Sequence, residues 1–287
     1  MRSLLFVPAD SERKLARAAA AGADALILDL EDSVLSERKA QARSLAAQYL
    51  GERQHAAVWV RVNARSSGEL LKDLAAIVPA RPAGIMLPKI LGAQDIQAVD
   101  LYLEALEVAH ELPSGAIAVL ALVTETPAAL LRTAELLQLC VPRLRALSWG
   151  AEDLSASLGA GEPRTSSGAW RATYEHARTQ CLLAAHALAL EAIDTVYVNY
   201  RDPDGLRQSC DAARRDGFTG CLAIHPDQVP VINAAFTPSA AERALAQRVV
   251  DAFAGGASGA GAVSLDGKMY DLPHLKAARR VLNLPSP

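Results

Sequence analysis

The segment over residues 22–34, GADALILDLEDSV, shows the pattern from which the fold of this chain can be inferred. It begins with a short run of Ala, Leu and Ile, which is typical of a buried strand. Three carboxylates follow at the end of this run, those of Asp29, Glu31 and Asp32. An Ala-rich segment with helical spacing then covers residues 37–50. The segment therefore predicts a βα unit with acidic side chains at the carboxyl end of its strand.

The same alternation of short apolar runs and longer helical segments recurs along the chain. The predicted strands cover residues 3–7, 25–30, 57–62, 84–87, 117–123, 146–149, 195–198 and 221–224. The predicted helices cover residues 12–21, 37–50, 68–78, 93–109, 128–138, 169–189 and 205–216. About eight strands are what a closed (β/α)₈ barrel, the TIM barrel, requires. An open Rossmann sheet is the alternative, but no G-x-G-x-x-G sequence follows the first strand.

The C-terminal part of the chain has a different composition. Residues 254–262, AGGASGAGA, are predicted to form a flexible linker, because small residues cannot bury enough side chain to fix it. Residues 263–282 are patterned again and end in a basic helix. We therefore predict a barrel domain over residues 1–253 and a linker with a C-terminal lid or arm over residues 254–287. A disordered connection to a terminal helix is an equally weighted alternative.

Composition excludes several classes of protein. The chain of 287 residues is 51% hydrophobic, which is enough for a sizeable core, and its net charge of −3 argues against a nucleic-acid partner. Its first residues do not form the long apolar stretch of a signal peptide, and we find no segment of about 20 apolar residues that could cross a membrane. The four cysteines are scattered without a CxxC pair, so neither a zinc site nor a disulfide framework is expected. A cytosolic location is predicted.

Charged and polar residues follow nearly every predicted strand, where the side chains of a barrel converge on one face. These residues are Asp29, Glu31, Asp32, Arg61, Asn63, Lys89, Glu125, Glu152, Asp153, Asn199 and His225. Clustered carboxylates repel one another unless a cation lies among them. Oxygen ligands without a Cys/His set favour Mg²⁺. In the alternative interpretation, each acid caps a helix or pairs with Arg61 or Lys89.

Two of these residues allow a further interpretation. Arg61 lies in the apolar sequence VWVRVN, so its guanidinium must face the barrel mouth, an anion or a neighbouring acid. His225 could act as a general base, but we expect a packed, hydrogen-bonded histidine before a turn at Pro226.

Seven motifs together resemble a known family. They are RSLLFVPA, GADALILDLEDSV, VRVN, LPKI, TETP, WGAEDL and GFTGCLAIHPDQ, and they run in this order along nearly the whole chain. The sequence resembles the citrate lyase β-subunit-like group of the HpcH/HpaI aldolase superfamily, which includes malyl-CoA and citramalyl-CoA lyases. The resemblance implies a TIM barrel, assembled as a trimer or hexamer.

The resemblance also implies roles for residues that match these motifs. Glu125 and Asp153 would bind Mg²⁺, and Arg61 would contact the carbonyl and acyl oxygens of the substrate. Glu31 and Asp32 would lie near the waters bound to the metal.

The tail SLDGKMYD is similar to the lid of CoA-ester lyases, which closes over the site of a neighbouring subunit, and Asp266 would be its acid/base residue. Arg13, Lys14 and Lys89 are candidates for binding the CoA phosphates, since phosphates favour Lys and Arg, although solvated surface charge is the alternative for Arg13 and Lys14.

The sequence departs from the family pattern at two places. Trp149 precedes Gly150 where the family often has Phe, and Cys221 occupies a position where the family often has Lys. We expect the first change to be tolerated. The second removes a cation near the eighth strand and puts in doubt any CoA contact that a Lys would make there.

The predicted activity is the reversible cleavage of a 3-hydroxyacyl-CoA, of the citramalyl-CoA or malyl-CoA type, into acetyl-CoA and a 2-oxo acid. Three alternatives stay open: a malyl-CoA-type thioesterase, a citrate lyase subunit that acts on a carrier-protein thioester, and a non-enzymatic scaffold. The sequence leaves open whether the 2-oxo acid is pyruvate, glyoxylate or oxaloacetate.

Overall fold

The computed structural model describes residues 1–52, 57–255, 261–282 and 284, and eight parallel strands in this part of the chain form a closed barrel. The strands pair in chain order, and the last pairs with the first to close the ring. They are β1 (Ser3–Pro8), β2 (Ala25–Asp29), β3 (Val58–Arg61), β4 (Gly84–Leu87), β5 (Ala118–Leu122), β6 (Leu144–Ser148), β7 (Glu191–Asp194) and β8 (Gly220–Ala223). The predicted (β/α)₈ barrel is confirmed, and the open Rossmann sheet is excluded.

Helices follow the strands around the barrel. They are α1 (Glu12–Ala18), α2 (Lys39–Glu52), α3 (Leu70–Ile77), α4 (Ala93–Ala109), α5 (Pro127–Leu131), α6 (Ala151–Leu158), α7 (Ala172–Ala187), α8 (Pro203–Asp216) and α9 (Gln228–Ala235). Helices α6 and α9 are not among the predicted helices; both are short and begin a few residues after a strand. None of the described helices combines the length and the apolar composition that crossing a membrane requires.

Alternate residues of the strands fill the two layers of the core. One buried cluster takes a residue from every strand and forms the barrel interior, including Ile27, Trp59 and Leu122. Their neighbours in sequence, such as Leu28 and Val60, belong to the layer between the strands and the helices. Because side chains alternate along a strand, Asp29 and Arg61 continue the inward series of Ile27 and Trp59 at the mouth of the barrel.

The seventh strand is displaced from its predicted position. The sequence predicts it over residues 195–198, TVYV, because β-branched and aromatic residues favour strands. The barrel instead uses Glu191–Asp194, which pairs with β6 and β8. Charged residues at both ends of this strand conceal it in the sequence. The prediction that Asn199 directly follows the seventh strand is therefore wrong, and Asp194 holds the strand-end position.

The chain forms two compact units, Met1–Phe236 and Thr237–Pro287. The second contains α10 (Ala240–Gly255), the strands β9 (Ala262–Leu265) and β10 (Lys268–Asp271), and α11 (Leu272–Val281). The predicted boundary lies after residue 253 and would leave nearly all of α10 with the barrel. In the structure α10 belongs to the second unit. There it packs on α11 around Ala246, Val249 and Ala278. Residues 256–260 of the predicted linker lie outside the described residues.

Candidate active site

An Arg–Asp pair lies at the centre of the barrel mouth. Arg61 is opposite Asp29 in the register of β2 and β3, and its Nε and Nη2 donate to the two Asp29 carboxylate oxygens at 2.7 and 2.6 Å. The guanidinium also lies 4.7 Å from the centre of the Phe6 ring. Although burial acts against ionisation of Asp29, the hydrogen bonds and charge of Arg61 hold its pKa below the usual value. The two groups form an ion pair that fixes the position of the Arg61 guanidinium at the mouth.

The segment after β2 carries Glu31 and Asp32. Glu31 is buried, and its Oε2 lies 3.2 Å from Arg61 Nη1 but has no hydrogen-bond partner in the described part of the chain. Burial raises the pKa of Glu31, which Arg61 and Lys89 only partly oppose. Asp32 is about half exposed. The segment thus presents one buried carboxylate with an unsatisfied oxygen inside the mouth and another carboxylate at its rim.

Two polar side chains hold this segment in place. Lys39 Nζ donates to the carbonyl oxygens of Leu30 and Glu31 at 2.8 and 3.1 Å. Asn63 Nδ2 donates to the same Leu30 oxygen at 2.9 Å. These hydrogen bonds fix the backbone from which Glu31 projects.

Lys89 connects the acids of the mouth. Its Nζ lies 2.7 Å from Glu31, 2.7 Å from Asp32 and 3.3 Å from Asp153. Its backbone N–H donates to Glu125 Oε2. Lys89 adopts the left-handed conformation, with φ of 50°, which is uncommon for residues other than glycine and often marks functional sites. The structure thus places the Lys89 ammonium among carboxylates, while its assignment to CoA phosphates stays a prediction.

Glu125 is held between a strand and a helix. It follows β5, and the next residue, Thr126, caps α5 by accepting a hydrogen bond from Ala129 N at 3.1 Å. Pro127 at the first position of this helix suits the cap. Glu125 is 2% exposed, and burial, reinforced by repulsion from Asp153, raises its pKa well above the usual value. A carboxylate so buried needs a cation nearby if it is to be ionised.

Asp153 lies in the first turn of α6, after β6. The preceding residue pair, Trp149 and Gly150, anchors this turn: the buried Trp149 indole N–H donates to Asp194 Oδ1 at 2.7 Å. The Trp at this position therefore has a hydrogen-bond partner that a Phe could not use, which explains why the departure from the family pattern is accommodated. Asp194 is not among the predicted site residues, because the predicted seventh strand begins four residues after the start of β7.

Gly150 makes room for Glu125. A Cβ atom at Gly150 would lie 2.8 Å from Glu125 Cγ and 3.0 Å from Glu125 Oε1. Gly150→Ala is therefore expected to lower the free energy of unfolding by about 1–3 kcal/mol through overpacking. Urea denaturation measures the change. Gly161→Ala is the matched control, because a Cβ there meets nothing within 4 Å. A Gly150→Ala protein as stable as the control would contradict the close contact.

The charges of the mouth do not balance. Among the described residues, the ion pairs of this group of five carboxylates involve two cations, those of Arg61 and Lys89; the carboxylates are those of Asp29, Glu31, Asp32, Glu125 and Asp153. The raised pKa values of Glu31 and Glu125 show where the excess negative charge and burial act together. A divalent cation beside Glu125 and Asp153 would relieve this excess.

The donor set fits Mg²⁺. Within the described ranges, no group of three or more His, Cys, Asp or Glu side chains is arranged to hold a metal ion. Mg²⁺ needs no such group, because it commonly binds one or two carboxylates and completes its shell with waters and substrate oxygens. Glu125 and Asp153 supply such a pair, and the uncompensated buried charge of Glu125 favours a cation there.

Other predicted residues lie elsewhere. Arg13 and Lys14 are exposed in the first turn of α1, after β1. His225 is partly exposed; its Nδ1 accepts from Asp227 N at 3.2 Å before the expected turn, and it stacks on Tyr200. Glu152 is exposed in the first turn of α6.

Asp266 lies in the second unit, at the tip of the hairpin formed by β9 and β10. Asp266 and Gly267 both have positive φ, as a two-residue turn between antiparallel strands requires. The Asp266 side chain is 65% exposed and lies 2.7 Å from Arg248 Nη2, which lowers its pKa. The carboxylate is therefore ionised and accessible.

Cys221 carries no charge at the position where the resemblance expects Lys. It is buried in the layer between strands and helices, and its Sγ donates to Thr195 O at 3.2 Å. A hydrogen bond with Cys210 and burial raise its pKa well above the usual value, so the group is a neutral thiol.

Comparison with known proteins identifies relatives over nearly the whole chain. Residues 2–226 match the model of the HpcH/HpaI aldolase/citrate lyase family. A (3S)-malyl-CoA thioesterase of Cereibacter sphaeroides is 35% identical over 284 residues, which cover 98% of this chain and 93% of the relative. The mitochondrial citramalyl-CoA lyase of Mus musculus is 33% identical over 301 residues, which cover 99% of this chain and 85% of the relative.

Solved structures show the same architecture. The CitE protein of Mycobacterium tuberculosis in complex with magnesium, acetoacetate and coenzyme A superposes with a TM-score of 0.80 at 34% identity, covering 98% of this chain and 97% of that one. RipC of Yersinia pestis superposes with a TM-score of 0.67 at 28% identity, covering 84% of this chain and 97% of that one.

Proposed function

The chain belongs to the HpcH/HpaI aldolase/citrate lyase family, and we propose that it is a Mg²⁺-dependent lyase that reversibly cleaves a 3-hydroxyacyl-CoA to acetyl-CoA and a 2-oxo acid. Membership of the family confirms the prediction of a lyase. The observation that carries the proposal is the buried Glu125 beside Asp153, with the Arg61–Asp29 pair in the same mouth. Coenzyme A and magnesium in the CitE complex support the substrate class and the metal.

Glu125 and Asp153 are the proposed Mg²⁺ ligands. When bound, Mg²⁺ supplies Lewis-acid polarisation of the substrate oxygens at the carbon that becomes the carbonyl. Lys89 holds Asp153 through its ammonium and Glu125 through its backbone N–H, so one residue orients both ligands. Glu31 and Asp32 pair with the same ammonium and would accept hydrogen bonds from waters of a bound metal.

Arg61 is the proposed electrostatic catalyst of the carbon–carbon cleavage. Breaking the bond leaves negative charge on the acyl oxygen of the departing acetyl-CoA enolate. A guanidinium held by two hydrogen bonds to a buried Asp29 requires no reorganisation to meet this charge. Its remaining N–H groups are the donors for that oxygen.

Asp266 is the proposed acid/base residue: in cleavage its carboxylate would take up the proton that the substrate hydroxyl loses and deliver it to the enolate carbon, and in condensation it would remove that proton and return it to the new hydroxyl. Asp266→Asn is expected to lower kcat by about 10²–10⁴-fold, the usual contribution of a general acid, and to leave the affinity for Mg²⁺ unchanged. Asn is preferred to Ala because it tolerates the positive φ of this position. Steady-state kinetics and Mg²⁺ titration measure the two quantities.

Arg248→Ala is the control for Asp266, because it removes the ion pair and keeps the carboxylate. It should retain most of the activity, with the acid limb of its pH profile shifted upwards, since Arg248 lowers the pKa of Asp266. Equal loss of turnover and metal affinity in Asp266→Asn would contradict the assignment.

Hydrolysis of the same thioester is the second candidate, because a malyl-CoA thioesterase matches over 98% of this chain. The products distinguish the two activities. Purified protein would be incubated with Mg²⁺ and, separately, with citramalyl-CoA, malyl-CoA and citryl-CoA. Acetyl-CoA with a 2-oxo acid supports the lyase and identifies its substrate, whereas free CoA with an intact hydroxy acid supports the thioesterase.

The form of the substrate and the assembly of the protein are further parts of this proposal. Activity on free CoA esters would exclude a strict requirement for a carrier protein. We also propose that a homotrimer or hexamer forms in which the lid, with Asp266, reaches the site of a neighbouring subunit. A cytosolic location and CoA phosphate binding by Arg13 and Lys14 stay predictions, as does the division of roles between a catalytic barrel and a C-terminal lid.

A further inference from the structure

The groups described above occupy one arc of the barrel mouth. They lie at the end of β2 and β3 or after β2, β4, β5 and β6. The remaining arc consists of the segments after β7, β8 and β1, which are neighbours because β7 pairs with β8 and β8 with β1. A long substrate with its reacting end among the acids can place its other end on this second arc.

An aromatic surface lies on the second arc, formed by Tyr200, Arg201 and His225 and called here the Tyr200 platform. The rings of Tyr200 and His225 stack with centres 4.8 Å apart and planes inclined by 19°. Tyr200 is 43% exposed, so its ring is accessible to a ligand. The platform lines a cleft of about 520 Å³, within the range of small-molecule sites.

The platform is held rigidly. The buried Gln228 donates from Nε2 to Tyr197 O at 2.8 Å, and its Oε1 accepts from Ile224 N at 2.8 Å and His225 N at 3.2 Å. One side chain therefore ties the segment after β7 to the segment after β8. A rigid surface loses little entropy when a ligand binds.

The charge of the platform suits a phosphorylated ligand. The Arg201 guanidinium lies 5.5 Å from the centre of the Tyr200 ring, and it has no ion-pair partner within the described ranges. Asp227 also lines the cleft, but it is 84% exposed and lies near His225. An exposed ring beside an unpaired guanidinium is a suitable surface for a base attached to phosphate.

We propose that the Tyr200 platform binds the adenine nucleotide end of a CoA ester, with the adenine stacked on Tyr200 and a phosphate on Arg201. This inference rests on the proposed function, because it locates the part of the same substrate that does not react. Residues after β7 and β8 thereby contribute binding energy, while residues at the end of β2 through β6 perform the chemistry.

The test measures equilibrium binding of CoA and of adenosine 3′,5′-bisphosphate by calorimetry. Tyr200→Ala is expected to weaken both affinities by about tenfold, because one base–aromatic stack contributes roughly 1–3 kcal/mol. Tyr200→Phe keeps the ring and should bind like the wild type. Arg201→Ala should weaken binding and reduce its dependence on salt. Arg207→Ala, at an exposed position outside the cleft, is the matched control.

Steady-state kinetics separate recognition from a structural effect. Tyr200→Ala should raise KM for a CoA ester and leave kcat/KM for the corresponding pantetheine ester, which lacks the nucleotide, unchanged. Equal losses on both esters, or unchanged binding of both nucleotides by Tyr200→Ala, would overturn the inference. CoA binding that depends on Tyr200 without any cleavage would support the platform and refute the lyase, so the two proposals can fail separately.

Discussion

Glu125→Gln is expected to abolish turnover and, without Mg²⁺, to raise the free energy of unfolding at neutral pH. Loss of the metal ligand should lower kcat by about a thousandfold or more, equivalent to roughly 4 kcal/mol. The variant is nevertheless expected to be more stable than the wild type without Mg²⁺, because burial and repulsion from Asp153 raise the pKa of Glu125 and so disfavour its ionised form in the folded protein. A carboxyl group that binds its proton more tightly when folded loses its stabilising contribution as the pH rises through its folded pKa. Gln avoids that loss.

Two measurements check this expectation. Urea denaturation at several pH values should show a stability gain for Glu125→Gln at neutral pH that disappears below the unfolded pKa, where both states of the wild type are protonated. Mg²⁺ at about 100 times its Kd should stabilise the wild type by about 2.7 kcal/mol and the variant far less. Glu104→Gln, at an exposed position on α4, is the control. If Glu125→Gln retained its turnover, or if Mg²⁺ stabilised it as much as the wild type, Glu125 would not be a metal ligand.

Arg61→Met is expected to impair both stability and catalysis. Removing the guanidinium leaves the buried Asp29 carboxylate without its ion-pair partner and leaves Glu31 with Lys89 alone. Breaking a buried ion pair in this way usually costs about 3–5 kcal/mol. Loss of one preorganised donor should in addition lower kcat by about 10²–10³-fold. Denaturation curves and kinetics on the folded fraction measure the two effects separately.

Arg143→Met is the matched control for Arg61. Arg143 is equally a buried arginine, bonded to both oxygens of the buried Glu107, but it precedes β6 at the amino end of the barrel. Its loss should destabilise the fold to a similar degree and leave kcat of the folded protein unchanged. A comparable fall of kcat in both variants would show that Arg61 acts only through stability.

The sequence predicted the barrel because the periodicity of each βα unit is a local property. The errors arise where tertiary contacts override local preference. TVYV has a stronger strand propensity than EAID, yet pairing with β6 and β8 selects EAID. Helix α9 contains Pro230 in its first turn, a position that tolerates proline but conceals the helix in the sequence. The D-G pair at 266–267 was an available signal for the hairpin of β9 and β10.

Most residues of the site could be predicted from the sequence, but the contacts between them could not. Strand-end positions brought Glu31, Arg61, Glu125 and Asp153 to one mouth, as the (β/α)₈ topology requires. The place of Lys89 after the fourth strand could be predicted, but its left-handed backbone and the particular acids that it pairs with could not, because they depend on three other segments of the chain. The Tyr200 platform likewise depends on Gln228, which joins two loops that are distant in sequence.

The most direct test of the lyase is the amount of 2-oxo acid formed per acetyl-CoA in one reaction with citramalyl-CoA or malyl-CoA, before and after chelation of the metal. We expect equimolar products that vanish with the chelator, return with Mg²⁺, and do not form with Glu125→Gln. Products that form equally well without a divalent metal, or free CoA in place of acetyl-CoA, would contradict a Mg²⁺-dependent carbon–carbon lyase.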